Sequence, residues 1–264
     1  MGNCVLTGNT ADYLGGGADS STLNNCTLTG NSASVSGGGA SESALNNCIV
    51  YYNNAPDGTN FAEPTQYYPG CTMNYCCTTP DPGGTANITN EPALVNLAGG
   101  DQHLQYSSPC INSGNNGYVS VTNDLDGNPR IVGGTVDIGA YEYQMPASII
   151  SYAWLQQYGL PTDGTADFGD SDGDGMNNWQ EWKAGTIPTD ATSVLKLSSP
   201  SNSVSGITVT WQSVSNVTYY LQSSTNLQVF TSIQSNIVGQ AGSTSYTDTD
   251  ATNGGPYFYR VGVQ

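Results

Sequence analysis

The chain writes one phrase repeatedly at a fixed interval. LNNCTLTGN at 23–31 returns as LNNCIVYYN at 45–53, and GNCVLTGN at 2–9 is an earlier copy. Cys4, Cys26 and Cys48 are spaced 22 residues apart, as are Asn9, Asn31 and Asn53, and GGGA at 15–18 recurs at 37–40. A period of this length is the signature of a stacked repeat architecture. Each phrase holds short alternating segments such as Cys26-Thr27-Leu28-Thr29 between Gly-rich and Asn-rich turns, and none is long enough for a helix. These features predict a parallel β-helix with three short strands to a coil and coils about 4.8 Å apart. Equivalent positions then stack, with Cys, Leu and Val pointing inward and Asn amides bonding to the coils above and below. The Cys and Asn columns are read as packing, not as a redox or metal site, because free Cys is a common small buried residue.

Charge narrows the partners. Lys183, Lys196, Arg130 and Arg260 stand against 21 Asp and Glu, for a formal net charge of -17 over 264 residues. Nucleic acid is excluded as a partner, since phosphate neutralisation needs a basic stripe. Divalent cations are the natural counter-charge. No run of about 18 apolar residues is present, so no transmembrane segment is expected. Met1 is followed at once by repeat sequence, which reads as a mature or truncated chain of an exported protein.

Two stretches of the first 146 residues resemble known families. The repeat is similar to the GGA-and-FxxN repeats of polymorphic outer-membrane and related secreted β-helix proteins, with LTGN where FxxN is usual. NITNEPALVN, GDQHLQYSSPCINSGNN and NDLDGNPRIVGGTVDIGAYEY, within 87–143, resemble the C-terminal end of secreted bacterial right-handed parallel β-helix proteins of the choice-of-anchor group. The resemblance implies an exported surface or extracellular protein and no reaction. The family phrases CCTTP and SPC imply a Cys77–Cys110 bridge, leaving Cys71 with Cys76, while Cys4, Cys26 and Cys48 stay in the ladder. DLDGNPR reads as a turn. Arg130 is the sole Lys or Arg before Lys183, with Asp124, Asp126, Asp137 and Glu142 near in sequence, and it is expected in an ion pair that closes the end of the repeat.

Many β-helices act on polysaccharides, so catalysis has to be weighed. Elimination needs a base with a cation, and hydrolysis needs paired carboxylates on one face. The repeats offer no Lys, and Asp12, Asp19 and Glu42 occupy non-equivalent positions. His103, the single His, lies in a strand phrase and is read as structural. No catalytic constellation is expected.

DSDGDGMNNWQE at 170–181 fits the calcium-loop template D-x-D-x-D-G-x5-E at every specified position. Asp170, Asp172 and Asp174 supply oxygens at positions 1, 3 and 5. Gly175 permits the turn at position 6, Met176 offers its carbonyl at 7, Asn178 stands at 9, and Glu181 chelates at 12. Carboxylates this close repel one another without a cation. Asp163, Asp167 and Asp190 are candidates for a second site. The flanks read as short helices ended by glycine, with Trp179 and Trp182 packing as one apolar edge. The stretch resembles thrombospondin-type-3 and dockerin-like calcium repeats. A dockerin carries two copies and one is present here, which argues against cohesin docking.

From Val194 the pattern becomes short alternating strands, GITVTWQ, TYYLQS and YFYRVGV, between polar turns. Trp211 and the Tyr-x-Tyr-Arg-Val strand resemble a fibronectin type III domain.

The expected fold is therefore mostly β: a right-handed parallel β-helix with its closing segment at 1–146, an EF-hand-like helix–loop–helix calcium linker at 147–193, and a C-terminal antiparallel β-sandwich at 194–264. The expected function is an extracellular or cell-surface, calcium-stabilised structural or adhesive protein. Its expected partners are a second copy or upstream coils meeting the N-terminal coil at Val5 and Leu6, and surface glycans. Head-to-tail contact there would build a filament or scaffold. The alternative is the C-terminal part of a polysaccharide lyase or glycoside hydrolase, or a carbohydrate-binding protein.

Overall fold

The structure, a computed structural model, describes residues 1–66, 69–252 and 255–264. The chain is mostly β and forms two compact units, Met1–Ala166 and Asp167–Gln264. That division falls inside the 147–193 stretch, so its first helix belongs to unit 1 and the acidic loop and second helix to unit 2.

In unit 1 the repeated phrase becomes repeated strands. The first copy supplies β1 (Val5–Thr7), β2 (Thr10–Ala11), β3 (Ala18–Asp19) and β4 (Thr22–Asn24). The second supplies β5 (Thr27–Thr29), β6 (Ser32–Ala33), β7 (Ala40–Ser41) and β8 (Ala44–Asn46), and then come β9 (Ile49–Tyr51), β10 (Thr72–Asn74) and β11 (Cys77–Thr78). All pairings among them are parallel, and the register follows the repeat: Val5 faces Thr27, Thr27 faces Ile49, and Ala18 faces Ala40. One four-stranded sheet runs β1-β5-β9-β11 and a second runs β10-β8-β4.

Stacking puts like beside like. Leu23, Leu28, Leu45, Cys26, Cys48 and Val50 are completely buried in one cluster. Each such Leu contributes about 1.5–3 kcal/mol relative to exposure. The asparagines carry the polar half of the argument. Asn9 Nδ2 donates to Asn31 Oδ1 (2.9 Å), Asn31 Nδ2 to Asn53 Oδ1 (3.0 Å), and Asn53 Nδ2 to Asn60 Oδ1 (3.3 Å). A second column joins Asn47 to Asn25 at 2.9 Å, where both residues hold left-handed backbone (φ 51 and 52). Asn tolerates that conformation better than other non-glycine residues, which explains the Asn directly before Cys4, Cys26 and Cys48. The GGGA turns have a steric origin, since a Cβ on Gly38 would sit 2.4 Å from Asn54 O.

The cysteines correct two expectations. Cys76 belongs to the ladder, because β10 and β11 pair with β8 and β9 after the interval lengthens from 22 to 28 residues. Its thiol donates to Asn74 O, as Cys26 does to Asn24 O and Cys48 to Asn46 O. All seven cysteines are free thiols, so neither the Cys71–Cys76 nor the Cys77–Cys110 bridge is formed. Cys76 faces the ladder interior, whereas the Cys77 and Cys110 thiols do touch.

Alternation is lost in β5, where Thr27, Leu28 and Thr29 are all buried. The segment 137–143 lies against it: Ala140 N donates to Thr27 Oγ1 (3.0 Å), and Gly139 N donates to Asn47 O (2.9 Å). Ile138 joins Ile49, Cys77, Cys110, Ile111 and Tyr152 in a second core cluster. Tyr152 opens helix α1 (Tyr152–Gln157), capped by Ser151, whose Oγ accepts from Trp154 N. Strands β12 (Leu94–Asn96) and β13 (Asp101–Leu104) form an antiparallel pair at the same cluster.

Arg130 is buried beside the 137–143 segment. Its Nη2 donates to Gly139 O (2.6 Å) and Asp137 O (3.1 Å), and Nη1 lies 3.8 Å from Glu142 Oε2.

Unit 2 holds helix α2 (Asn178–Ala184) and two three-stranded antiparallel sheets. One is β14 (Ser201–Ser203), β15 (Gly206–Ser213) and β18 (Gly242–Asp248); the other is β17 (Thr231–Val238), β16 (Thr218–Ser224) and β19 (Phe258–Val263). Val209 and Trp211 from the first meet Tyr219 and Leu221 from the second in one buried cluster, with Trp211 edge-on to Tyr219. No helix among the described residues is long and apolar enough to cross a membrane.

Candidate metal centre

The loop before α2 folds around its own carboxylates. Asp170 accepts from Gly173 N (2.7 Å) and Gly175 N (3.0 Å), Asp172 from Asp174 N (3.2 Å), and Asp174 from Met176 N (2.7 Å). Gly173 and Gly175 hold φ of 81 and 98, which the tight reversal requires and other residues resist. The loop is closed by Asn178 N donating to Gly169 O (2.8 Å) and Trp179 N to Asp167 O (2.9 Å). Asn177 then caps α2 in a reciprocal box with Gln180, and Gly185 ends the helix in left-handed conformation. The Asn-x-x-Gln spacing at 177–180 is the sequence signal of that cap, and the template reading passed over it.

This geometry converges the acids. Ligand oxygens of Asp170, Asp172 and Asp174 all lie within 4.8 Å of one another. Glu181, in the first turn of α2, is completely buried. Burial first, then the charges of Asp172, Asp174 and Asp170, push its carboxyl up to about 7. Asp172 Oδ2, Asp174 Oδ2 and Glu181 Oε2 are closed to solvent and have no hydrogen-bond partner. Thr186 Oγ1 reaches the other Glu181 oxygen at 3.4 Å. None of the salt bridges among the described residues involves these acids.

A divalent cation fits this donor set. Three carboxylate oxygens closed to solvent without a partner, one of them from a completely buried Glu, are costly unless a positive charge or a proton completes them. The donors are hard oxygens from one loop that turns at Gly173 and Gly175, the donor type that divalent cations such as calcium and magnesium take. Asp170, Asp172, Asp174 and Glu181 would hold it. Met176 sits at position 7, its N–H bonded to Asp174 and its Sδ accepting from Leu195 N (3.3 Å). Asn178 is buried, and its Oδ1 accepts from Ser171 Oγ at 2.9 Å, which ties position 9 to position 2.

The candidates for a second site do not gather. Asp163 belongs to unit 1 and closes a local turn onto Thr165 N and Oγ1 (3.0 and 2.5 Å). Asp190 does the same with Thr192 (3.0 and 2.7 Å). Asp167 is buried and serves the loop through its backbone carbonyl. Trp182 carries Lys183 Nζ 4.0 Å above its ring, while Trp179 faces a cleft of about 630 Å³ with Met176, Tyr220 and Val263.

No protein family, curated protein or solved structure matches this chain.

Proposed function

We propose that this chain is an extracellular structural or adhesive protein whose acidic loop binds one calcium ion. In this reading unit 1 is a right-handed parallel β-helix of the secreted choice-of-anchor type, and unit 2 joins a thrombospondin-type-3-like calcium loop to a fibronectin-III-like β-sandwich. The in-register parallel strands and Asn columns support the first assignment, and the two antiparallel sheets sharing Trp211 and Tyr219 support the second.

One observation carries the calcium reading: the buried Glu181 carboxyl, with an oxygen that has no partner, beside three converging aspartates. Calcium supplies the missing charge and fixes the position of α2 through Glu181. Extracellular modules of this kind bind at about 10⁻⁴–10⁻³ M, which matches the calcium available outside cells. The composition is correspondingly acidic and rich in uncharged polar residues.

Limited proteolysis with and without chelator tests the proposal. Calcium should slow cleavage within 167–190 while leaving unit 1 unchanged. Equal cleavage rates in that segment under both conditions would contradict it.

A further inference from the structure

The single histidine is gripped from both sides. His103 Nδ1 lies 2.6 Å from Asp101 Oδ1, and Nε2 lies 2.6 Å from Asp126 Oδ2. Tyr141 from the closing segment stacks on the ring at 4.0 Å between centroids. Both ring nitrogens can donate at once only when the imidazole is charged, since the neutral ring has one N–H and one lone pair.

The two arms differ in how they are anchored. Asp101 sits on the same strand, and its Oδ1 also accepts from His103 backbone N at 3.1 Å. It stays beside the ring whatever the ring's charge. Asp126 comes from the turn at 124–128, and among the described residues its carboxylate reaches β13 through the ring. When the proton leaves, a lone pair faces a carboxylate, and the remote arm is the one that gives way.

We propose that Asp101, His103 and Asp126 form a proton-operated latch, which holds the 124–128 turn onto β13 while the imidazole is charged and frees the tip of that turn when it is neutral. The other groups facing the ring are Tyr141 and, behind the turn, Asp124. The Asp124 carboxylate is occupied by the amides of Asp126, Asn128 and Glu142 (3.0, 2.9 and 3.1 Å). It ties the base of the turn to the Glu142 backbone and offers the ring no competing contact. Burial lowers the affinity of His103 for its proton, but Asp126 and Asp101 together overcome this and raise it above the ordinary value of 6.5. The ring is 43% exposed, so it exchanges protons with solvent directly.

The test is an NMR titration of the His103 ring, with amide exchange across 124–128 followed in parallel, on the intact chain and on Asp126→Asn, Asp101→Asn and His103→Gln. The midpoint should lie above 6.5 and fall in both Asn variants. Exchange at 126–128 should rise through that midpoint beyond the ordinary base-catalysed increase, and His103→Gln should lack the step. A midpoint at or below 6.5, a midpoint unmoved by Asp126→Asn, or exchange with no step in the intact chain would each overturn the latch.

Discussion

Arg130 Nη1 stands 3.8 Å from Glu142 Oε2 with both side chains shut away from solvent, and two further acids, Asp124 and Asp137, crowd the same guanidinium. Burial favours loss of the guanidinium proton, and the surrounding carboxylates oppose that loss. The Glu142 oxygens accept from Val132 N (2.9 Å) and Asp137 N (3.0 Å), so the ion pair also organises the backbone of the closing segment. Arg130→Met keeps most of the volume and strands these acids without a counter-charge. It should destabilise unit 1 by about 3–5 kcal/mol, the usual cost of breaking a buried pair from one side. Urea unfolding followed by the tyrosines of unit 1 measures it, and a loss below about 1 kcal/mol would count against the closing role.

The same cluster sets a pH dependence. Burial, more than any other cause, holds the Asp137 and Glu142 carboxyls above their ordinary values of 3.8 and 4.5. A raised folded value means that stability is fully present below the unfolded carboxyl range and is lost as pH climbs through the folded values. His103 has the same sign. Unit 1 should therefore lose stability between about pH 4 and about pH 8, from the unfolded to the folded values of these carboxyls. A midpoint denaturant concentration that rises over this interval would contradict the assignment.

The Asn column makes a sharper prediction. Asn31 accepts from Asn9 N and Nδ2 and donates to Leu6 O and Asn53 Oδ1. Asn31→Ala should cost at least about 1–3 kcal/mol, because buried donors and acceptors lose their partners. Asn31→Asp should cost more, since a carboxylate oxygen would face Leu6 O and Asn53 Oδ1. Equal stability of the two variants would show that the amide donors do not matter.

Thiol reactivity should follow the stack. Burial raises the Cys48 and Cys77 thiols well above their ordinary value, and Cys26 is raised first by its bond to Cys48 and then by burial. Cys4 and Cys71 are half-exposed. Alkylation of the native protein followed by peptide mass analysis should label Cys4 and Cys71 first and the other five only on unfolding. Early labelling of Cys26 or Cys48 would mean that the ladder opens readily.

What the sequence revealed depended on how far apart the partners lie. Cys4, Cys26 and Cys48 share one spacing, so the column was legible from counting. Cys76 falls outside that count because the stretch after Asn54 lengthens the interval from 22 to 28, and the pairings of Met73 with Leu45 and of Cys77 with Ile49 restore the register. Asn60 enters the Asn column seven residues after Asn53 by the same detour. Arg130 could be singled out because no other Lys or Arg precedes Lys183, although its carbonyl partners required the fold. The grip on His103 was hidden, since Asp126 is 23 residues away in a turn with no periodic mark. The calcium template was the easiest to read, because every donor lies within one twelve-residue loop.

Calorimetric titration of the intact chain with calcium, alongside Glu181→Gln, tests the central claim most directly. The account predicts one saturable site with a dissociation constant of about 10⁻⁴–10⁻³ M. It also predicts that Glu181→Gln, which keeps the shape of the buried side chain and removes its charge, weakens binding at least tenfold while the two sheets of unit 2 stay folded by circular dichroism. Absence of saturable binding up to about ten times that range, in a chain shown to be folded, would contradict it.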